Sequence, residues 1–316
     1  MTEQAETRRL GAAFIPPHAD SLTQNDVTSY RAVANHADTA DKLGPLKDLP
    51  GFWEGTGFSL IARPDFSGGG NGFFLELNWL RETIQFTTIG SPVFNRGSKQ
   101  GDIAIYGLTY LHRVTDGTTG GALHIEPGLW LNIPATEVPK ADTSIARLFT
   151  IPHGNAVNTV GFADTIVDDE HPDIPPANTV PFEIGGMPPP PGTRNPYPEY
   201  DLSKETDFRS TPLPAGLTQA MIDDPNSIQR AALKGQTIKK VVRLITKTQV
   251  DEEIGNIPFI AANADNRVCE SVFAIETIRS RTGDDFLQLQ YSQTALINFK
   301  GKSWPHVTVG TLIKAF

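Results

Sequence analysis

Apolar and polar positions alternate with a period of two in one run after another of this chain, the signature of strands with one face buried and the other turned away. The clearest run is 268–277, where Val268, Glu270, Val272, Ala274 and Glu276 share one face and Cys269, Ser271, Phe273, Ile275 and Thr277 the other. Gln288, Gln290 and Ser292 alternate with Leu287, Leu289 and Tyr291 in the same way. Strands are predicted at 73–79, 82–88, 103–114, 122–133, 145–150, 155–162, 237–248, 268–280, 286–294 and 306–313. An X-Pro dipeptide, Trp304-Pro305, precedes the last of these; with the donor at Pro305 missing, that strand is expected to begin at His306. His306, Thr308 and Gly310 then lie on one face, so the histidine looks over small neighbours.

Turn chemistry joins the strands. The run Thr115-Asp116-Gly117-Thr118-Thr119-Gly120-Gly121 supplies the positive φ positions of a hairpin, and Gly68 to Gly72 reads as a tip between two strands. Gly55 and Gly57, two apart in Gly51-Phe52-Trp53-Glu54-Gly55-Thr56-Gly57-Phe58, mark a strand approached closely by other backbone. Many adjacent strands with few helices between them predict a mainly β chain, folded as an antiparallel up-and-down β-barrel whose interior can hold one small ligand.

Two stretches depart from the pattern. Residues 1–42 read as a polar arm with a short helix at 29–40. From 164 to 250 prolines crowd together, and Phe182, Ile184, Met187, Tyr197, Tyr200 and Phe208 give the stretch apolar anchors, so it is expected to lie over the surface as a proline-rich insertion. Within it Asp224 caps a short helix, Pro225 takes the first helical position and Gly235 ends it. One barrel domain spanning 43–316, interrupted at about 164–250, is the expected organisation.

Composition narrows the partners. The 316 residues carry 27 basic and 36 acidic side chains, net −9, which gives no footprint for nucleic acid or an anionic membrane. No run of eighteen apolar residues is present, and the first twenty residues lack a secretory apolar core. A single cysteine, Cys269, excludes an internal disulfide, and a cytoplasmic setting is expected. A homodimer is left open.

Candidate chemistry rests on the histidines. His18, His36 and His171 sit in polar or proline-flanked contexts and read as surface residues, and His112, beside Arg113, reads as structural. His124 shares a strand face with Glu126, a pairing equally suited to a hydrogen-bonded core or a pocket wall. His153 occupies the turn Ile151-Pro152-His153-Gly154, where structural reasons suffice. No Gly-x-Ser-x-Gly, phosphate-binding loop, His-Glu-x-x-His or paired cysteines occur. A metal-dependent enzyme built on His124, Glu126 and a further histidine is the weakest of the readings.

Three segments, taken in order, resemble the nitrobindin family, haem-binding proteins on a fatty-acid-binding-protein-like or lipocalin-like barrel. Leu43-Gly44-Pro45-Leu46 leading into Gly51-Phe52-Trp53-Glu54-Gly55-Thr56-Gly57 is similar to the family's opening Gly-x-Trp-x-Gly-x-Gly signature; Leu123-His124-Ile125-Glu126-Pro127-Gly128-Leu129-Trp130 resembles its Leu/Met-His-x-Glu-x-Gly strand; Pro305-His306 resembles its C-terminal Pro-His-Leu strand. Val307 replaces the leucine, and the insertion has no counterpart there. The resemblance implies haem b as cofactor and His306 as proximal iron ligand. It implies Leu123 and His124 lining the cavity, His124 acting as a distal acid–base group, and Ile151, Thr88 and Gln293 as further lining residues. The implied function is binding of NO, or conversion of peroxynitrite (isomerised to nitrate in the family) or peroxide at the iron. A haem-free barrel that binds a small apolar or acidic ligand is the alternative.

Overall fold

The structure, a computed structural model, describes residues 40–167, 171–190, 192–249 and 253–315. Ten antiparallel strands make its wall: β1 (Gly51–Pro64), β2 (Phe73–Thr88), β3 (Ile103–Asp116), β4 (Ala122–Ile133), β5 (Ser144–Ile151), β6 (Asn155–Val167), β7 (Thr237–Lys247), β8 (Asp265–Arg279), β9 (Asp285–Phe299) and β10 (Lys302–Lys314). Each pairs with the next in chain order, and β10 returns to β1 with Gly57 opposite Gly310, closing the barrel. The period-two pattern is thus realised as an up-and-down barrel.

Several boundaries differ from expectation. The stretches 73–79 and 82–88 are one strand, β2, because Leu80 and Arg81 continue the pairing with Gly57 and Thr56. Strand β6 runs on to Val167 and β7 starts at Thr237, so the insertion occupies 168–236 and its expected flanks are barrel wall. Strand β10 begins at Lys302 and contains Pro305. The missing donor is tolerated because β1 pairs with β10 only as far as Val307, leaving that edge of β10 without β1 at Pro305. The helix expected at 29–40 falls, but for Ala40, outside the described residues, as do His18 and His36.

One end of the barrel is stoppered. A single turn, Gly44–Leu46, places Leu43, Leu46 and Leu49 against the interior side chains Trp53, Phe86, Leu108 and Ile145, all buried. Trp53 Nε1 donates to the Leu49 carbonyl at 2.8 Å, tying the stopper to β1. Each such side chain withdrawn from water contributes roughly 1.5–3 kcal/mol. At the opposite end β1 and β10 part, and the hairpin tips and the loop bearing His153 surround the opening.

The insertion lies on the outside. Phe58, Leu60, Leu75, Leu77, Val307 and Val309, on the outer faces of β1, β2 and β10, form a buried cluster with Tyr200 and Ile222 of the insertion. Its backbone also covers strand edges where barrel pairing stops. Leu75 N donates to Phe208 O at 2.9 Å and Ser210 N to Leu75 O at 3.0 Å, while Phe182 pairs with Ser303. Arg209, buried, donates to the carbonyls of Glu199, Asp201 and Lys204 and so fixes the loop's shape. Two helices follow, α1 (Gln219–Asp223) and α2 (Asn226–Leu233). The N-cap is Pro225 and the first helical residue Asn226, so the expected cap Asp224 and first position Pro225 each fall one residue early; Asp224 Oδ1 accepts from Asn226 N in the turn before the helix, and Gly235 follows the C-cap Lys234 at φ +80°.

Candidate functional site

Because side chains alternate, the inner faces of the ten strands bring together residues far apart in sequence. Above the apolar layer lies a polar one. Glu126 on β4 pairs with the Arg147 guanidinium on β5 and accepts from the Tyr110 hydroxyl on β3. Arg147 also donates to Ser271 Oγ at 3.2 Å and Gln293 Oε1 at 2.7 Å, and its guanidinium lies within 4.7 Å of the ring centres of Phe149 and Phe273. Burial works to raise the Glu126 pKa, but Arg147, then His124 and His112, outweigh it and hold the carboxyl below its usual range. Burial likewise opposes the charge of Arg147, and Glu126 with Tyr110 reverses the effect. Cys269, in the same interior, is pushed up to about 12 by burial and is an inert thiol.

Glu82 on β2 anchors a second group, its Oε2 taking His112 Nε2 at 2.7 Å and the Tyr291 hydroxyl at 2.5 Å. Gly57 and Gly310 make room for it. A Cβ on Gly57 would stand 2.0 Å from Glu82 Oε1, and one on Gly310 would stand 2.3 Å from the Tyr291 ring. The small-residue face next to His306 is therefore filled at Gly310 by Tyr291 and Glu82, where the sequence showed only small neighbours.

Toward the opening the histidines gather. The His112 and His124 rings are 6.3 Å apart, and His124 stacks with His153 at 6.2 Å. His124 Nε2 lies 3.3 Å from Glu126 Oε2, as their shared strand face requires. Burial, then the neighbouring His124, lowers the pKa of His153. His306, across the opening, interacts electrostatically with His153 and is lowered to about 4, first by burial and against the bond to Ala62. That bond joins His306 Nε2 to the Ala62 carbonyl at 2.6 Å, where β1 and β10 part, so the ring stands in for a lost ladder hydrogen bond.

Of the sequence candidates, the fold brings His306, His124 and His153 to the same end, with Leu123 and Ile151 at the neighbouring ends of β4 and β5. Gln293 faces the interior but is engaged by Arg147. Thr88 is elsewhere: it ends β2 at the stoppered side, eleven residues and about 36 Å along the strand from Leu77, which lies level with Val307 across Leu60, at ~3.3 Å per residue. His112 is structural, and His171 is exposed. Glu82, Arg147, Tyr110 and Tyr291 were not singled out from sequence. A lone charge amid apolar residues, as in Ile145-Ala146-Arg147-Leu148-Phe149, was the available signal. Among the described residues no group of three or more His, Cys, Asp or Glu side chains is placed to hold a metal ion.

His306 has the donor chemistry that haem iron asks of a proximal ligand: it is neutral at physiological pH, and the nitrogen bonded to Ala62 O fixes the ring and leaves Nδ1 with a free lone pair. The packed layer of Glu82, Glu126 and Arg147 confines any such group to the open end.

No protein-family model and no curated protein matches this chain. Among solved structures, the crystal structure of Rv2717c from M. tuberculosis is similar at 15% identity and a TM-score of 0.42, over 88% of this chain and 98% of that one.

Proposed function

We propose that the open end of the barrel binds haem b through His306, and that the protein binds NO or converts peroxynitrite or peroxide there. The observation that carries this is the state of His306: neutral, partly buried, with one ring nitrogen tied to a backbone carbonyl and the other free. The order of the three sequence motifs supports it. Haem, when bound by one histidine, supplies an iron with an open coordination position. The chain's own contribution is at His124, whose Nε2 faces the ionised Glu126; that contact orients the imidazole and lets it hold or release a proton beside the site.

The bond from His306 to Ala62 also favours a second reading, because it joins two strands and needs no iron: a haem-free barrel whose open end takes a small apolar or acidic ligand. One titration separates the two. Wild-type protein mixed with haemin is expected to give a stoichiometric Soret band, and His306→Ala to lose or shift it. No uptake by the wild type, or an unchanged band in His306→Ala, would sink the haem reading.

A further inference from the structure

Gln288, Gln290 and Ser292, the polar positions that alternate with Leu287, Leu289 and Tyr291, point out of the barrel, and α2 lies on them. Ser292 Oγ donates to Asn226 Oδ1 at 2.8 Å, Gln290 Nε2 to Gln229 O at 3.2 Å, and the side-chain amides of Gln288 and Gln236 exchange two bonds of 3.1 Å. Leu233 adds an apolar contact, packed with Ile238, Val241, Ala274 and Ile278. The helix in turn holds the proline-rich segment: Asn226 Nδ2 donates to Pro175 O at 2.8 Å and Arg230 Nη1 to Ile174 O at 2.9 Å. Neutral hydrogen bonds thus attach α2 to the sheet, and the attachment carries a stretch of the insertion with it.

A carboxyl sits beneath this attachment. Glu276 is opposed by Val241 of β7 and Gln288 of β9, with Ala274 and Ile278 beside it on the same face of β8 and Leu233 of α2 packed on that patch. Gln288 Nε2 donates to Oε2 at 2.7 Å, and Oε1 has no partner among the described residues. The charges on the surrounding elements are engaged elsewhere or exposed. Lys239 of β7 bonds Asp285 of β9 at 2.6 Å, Lys240 faces Asp48, and Arg243 is held by Asp164, with Asp173 of the insertion also acting on it. Arg230 of α2 pairs with Asp224, while Lys234 after the helix and Arg279 at the end of β8 are exposed. Burial raises the Glu276 pKa to about 7 and the bond from Gln288 opposes the rise; none of these charges contributes.

Protonated, the carboxyl suits these neutral surroundings. Its anion has one donor and no counter-charge, so the rest of its stabilisation has to come from water. Glu276 points outward from the sheet, and the insertion is what separates it from solvent. We propose that α2, with the segment around Ile174 and Pro175 that it holds, is a pH-operated clasp on the outer wall of the barrel, closed while Glu276 carries its proton and loosened when Glu276 ionises. A carboxyl whose pKa is raised in the closed form favours closure fully below its open-form value, about 4.3, and that contribution is lost as pH rises through about 7. The clasp is therefore tight in mildly acidic solution and loose in mildly alkaline solution, whatever the open end of the barrel binds.

The test is amide hydrogen–deuterium exchange of the full chain at pH 5.5 and pH 8, corrected for the intrinsic exchange rate at each pH. Protection of residues 226–236 is expected to fall about tenfold or more at pH 8 in the wild type, whereas that of β4 and β5, which take no part in the attachment, stays within about threefold. Glu276→Gln still accepts from Gln288 but cannot ionise, and is expected to protect 226–236 equally at both pH values. Glu276→Leu is expected to do the same without that hydrogen bond. No fall in the wild type, a fall of equal size in β4 and β5, or a fall retained in either variant overturns the proposal. The wild-type comparison of 226–236 with β4 and β5 requires no variant to fold.

Discussion

Glu276 lies under the insertion, fully buried, with Oε2 accepting from Gln288 Nε2 at 2.7 Å and Oε1 unpartnered. Its neighbours Leu233, Ile238, Ala274 and Ile278 are apolar, and burial raises its pKa to about 7, against the hydrogen bond from Gln288. A carboxyl raised on folding favours the folded state fully only below its unfolded pKa, about 4.3. That contribution is lost as pH rises through about 7. Glu276→Gln keeps the acceptor for Gln288 and removes the titration. It is expected to stabilise the protein by about 1–3 kcal/mol at pH 8 and by little at pH 4. Denaturant melts at both pH values check this; equal gains at the two would refute the assignment. The sequence placed Glu276 correctly on the face with Val268, Val272 and Ala274. It could not show that this outer face is covered, because the cover comes from a segment some forty residues earlier.

At the scale of elements, β1 and β10 show how closely strand and side chain are coupled. Gly57 and Gly310 are paired across the ladder, yet a side chain at each would meet different obstacles. At Gly57 a Cβ would collide with the Val309 carbonyl at 2.4 Å as well as with Glu82, whereas at Gly310 the nearest atoms all belong to Tyr291 and Glu82 side chains. Each change to alanine is expected to cost about 1–3 kcal/mol through overpacking. Trimming Tyr291 to leucine is expected to recover more of the loss in Gly310→Ala than Glu82→Ala recovers in Gly57→Ala, where the clash with the Val309 carbonyl remains. Melting temperatures of the four variants measure the difference. Close approach at Gly55 and Gly57 was legible from glycines inside a strand pattern. That Glu82 is what fills the space was not, since β2 could have been set in another register.

For the whole molecule, the insertion covers the apolar outer wall of β1, β2 and β10. Val167 and Lys240 are opposed across β6 and β7, so a short Gly-Ser linker can replace 168–236 without opening the barrel. Doing so would uncover Phe58, Leu60, Leu75, Leu77, Val307 and Val309 together, a contiguous apolar surface. The shortened chain is expected to aggregate or bind hydrophobic dyes during size-exclusion chromatography. A monodisperse product with the parental melting temperature would show the insertion to be dispensable. Among the described residues no helix is long and apolar enough to cross a membrane.

The sequence by itself determined the mainly β class, the barrel and most strand positions, because period-two burial is a local property that each strand carries in its own residues. It also placed the candidate histidines on strands or in turns, and it located the proline-rich departure from the pattern. Tertiary structure alone decided which face of each strand the insertion covers, and that Arg147 satisfies Glu126. It also decided that Thr88 ends far from His306 and that His306 Nε2 meets Ala62 just where two strands separate. These depend on register and closure between segments distant in the chain, and no single strand's alternation encodes its partner.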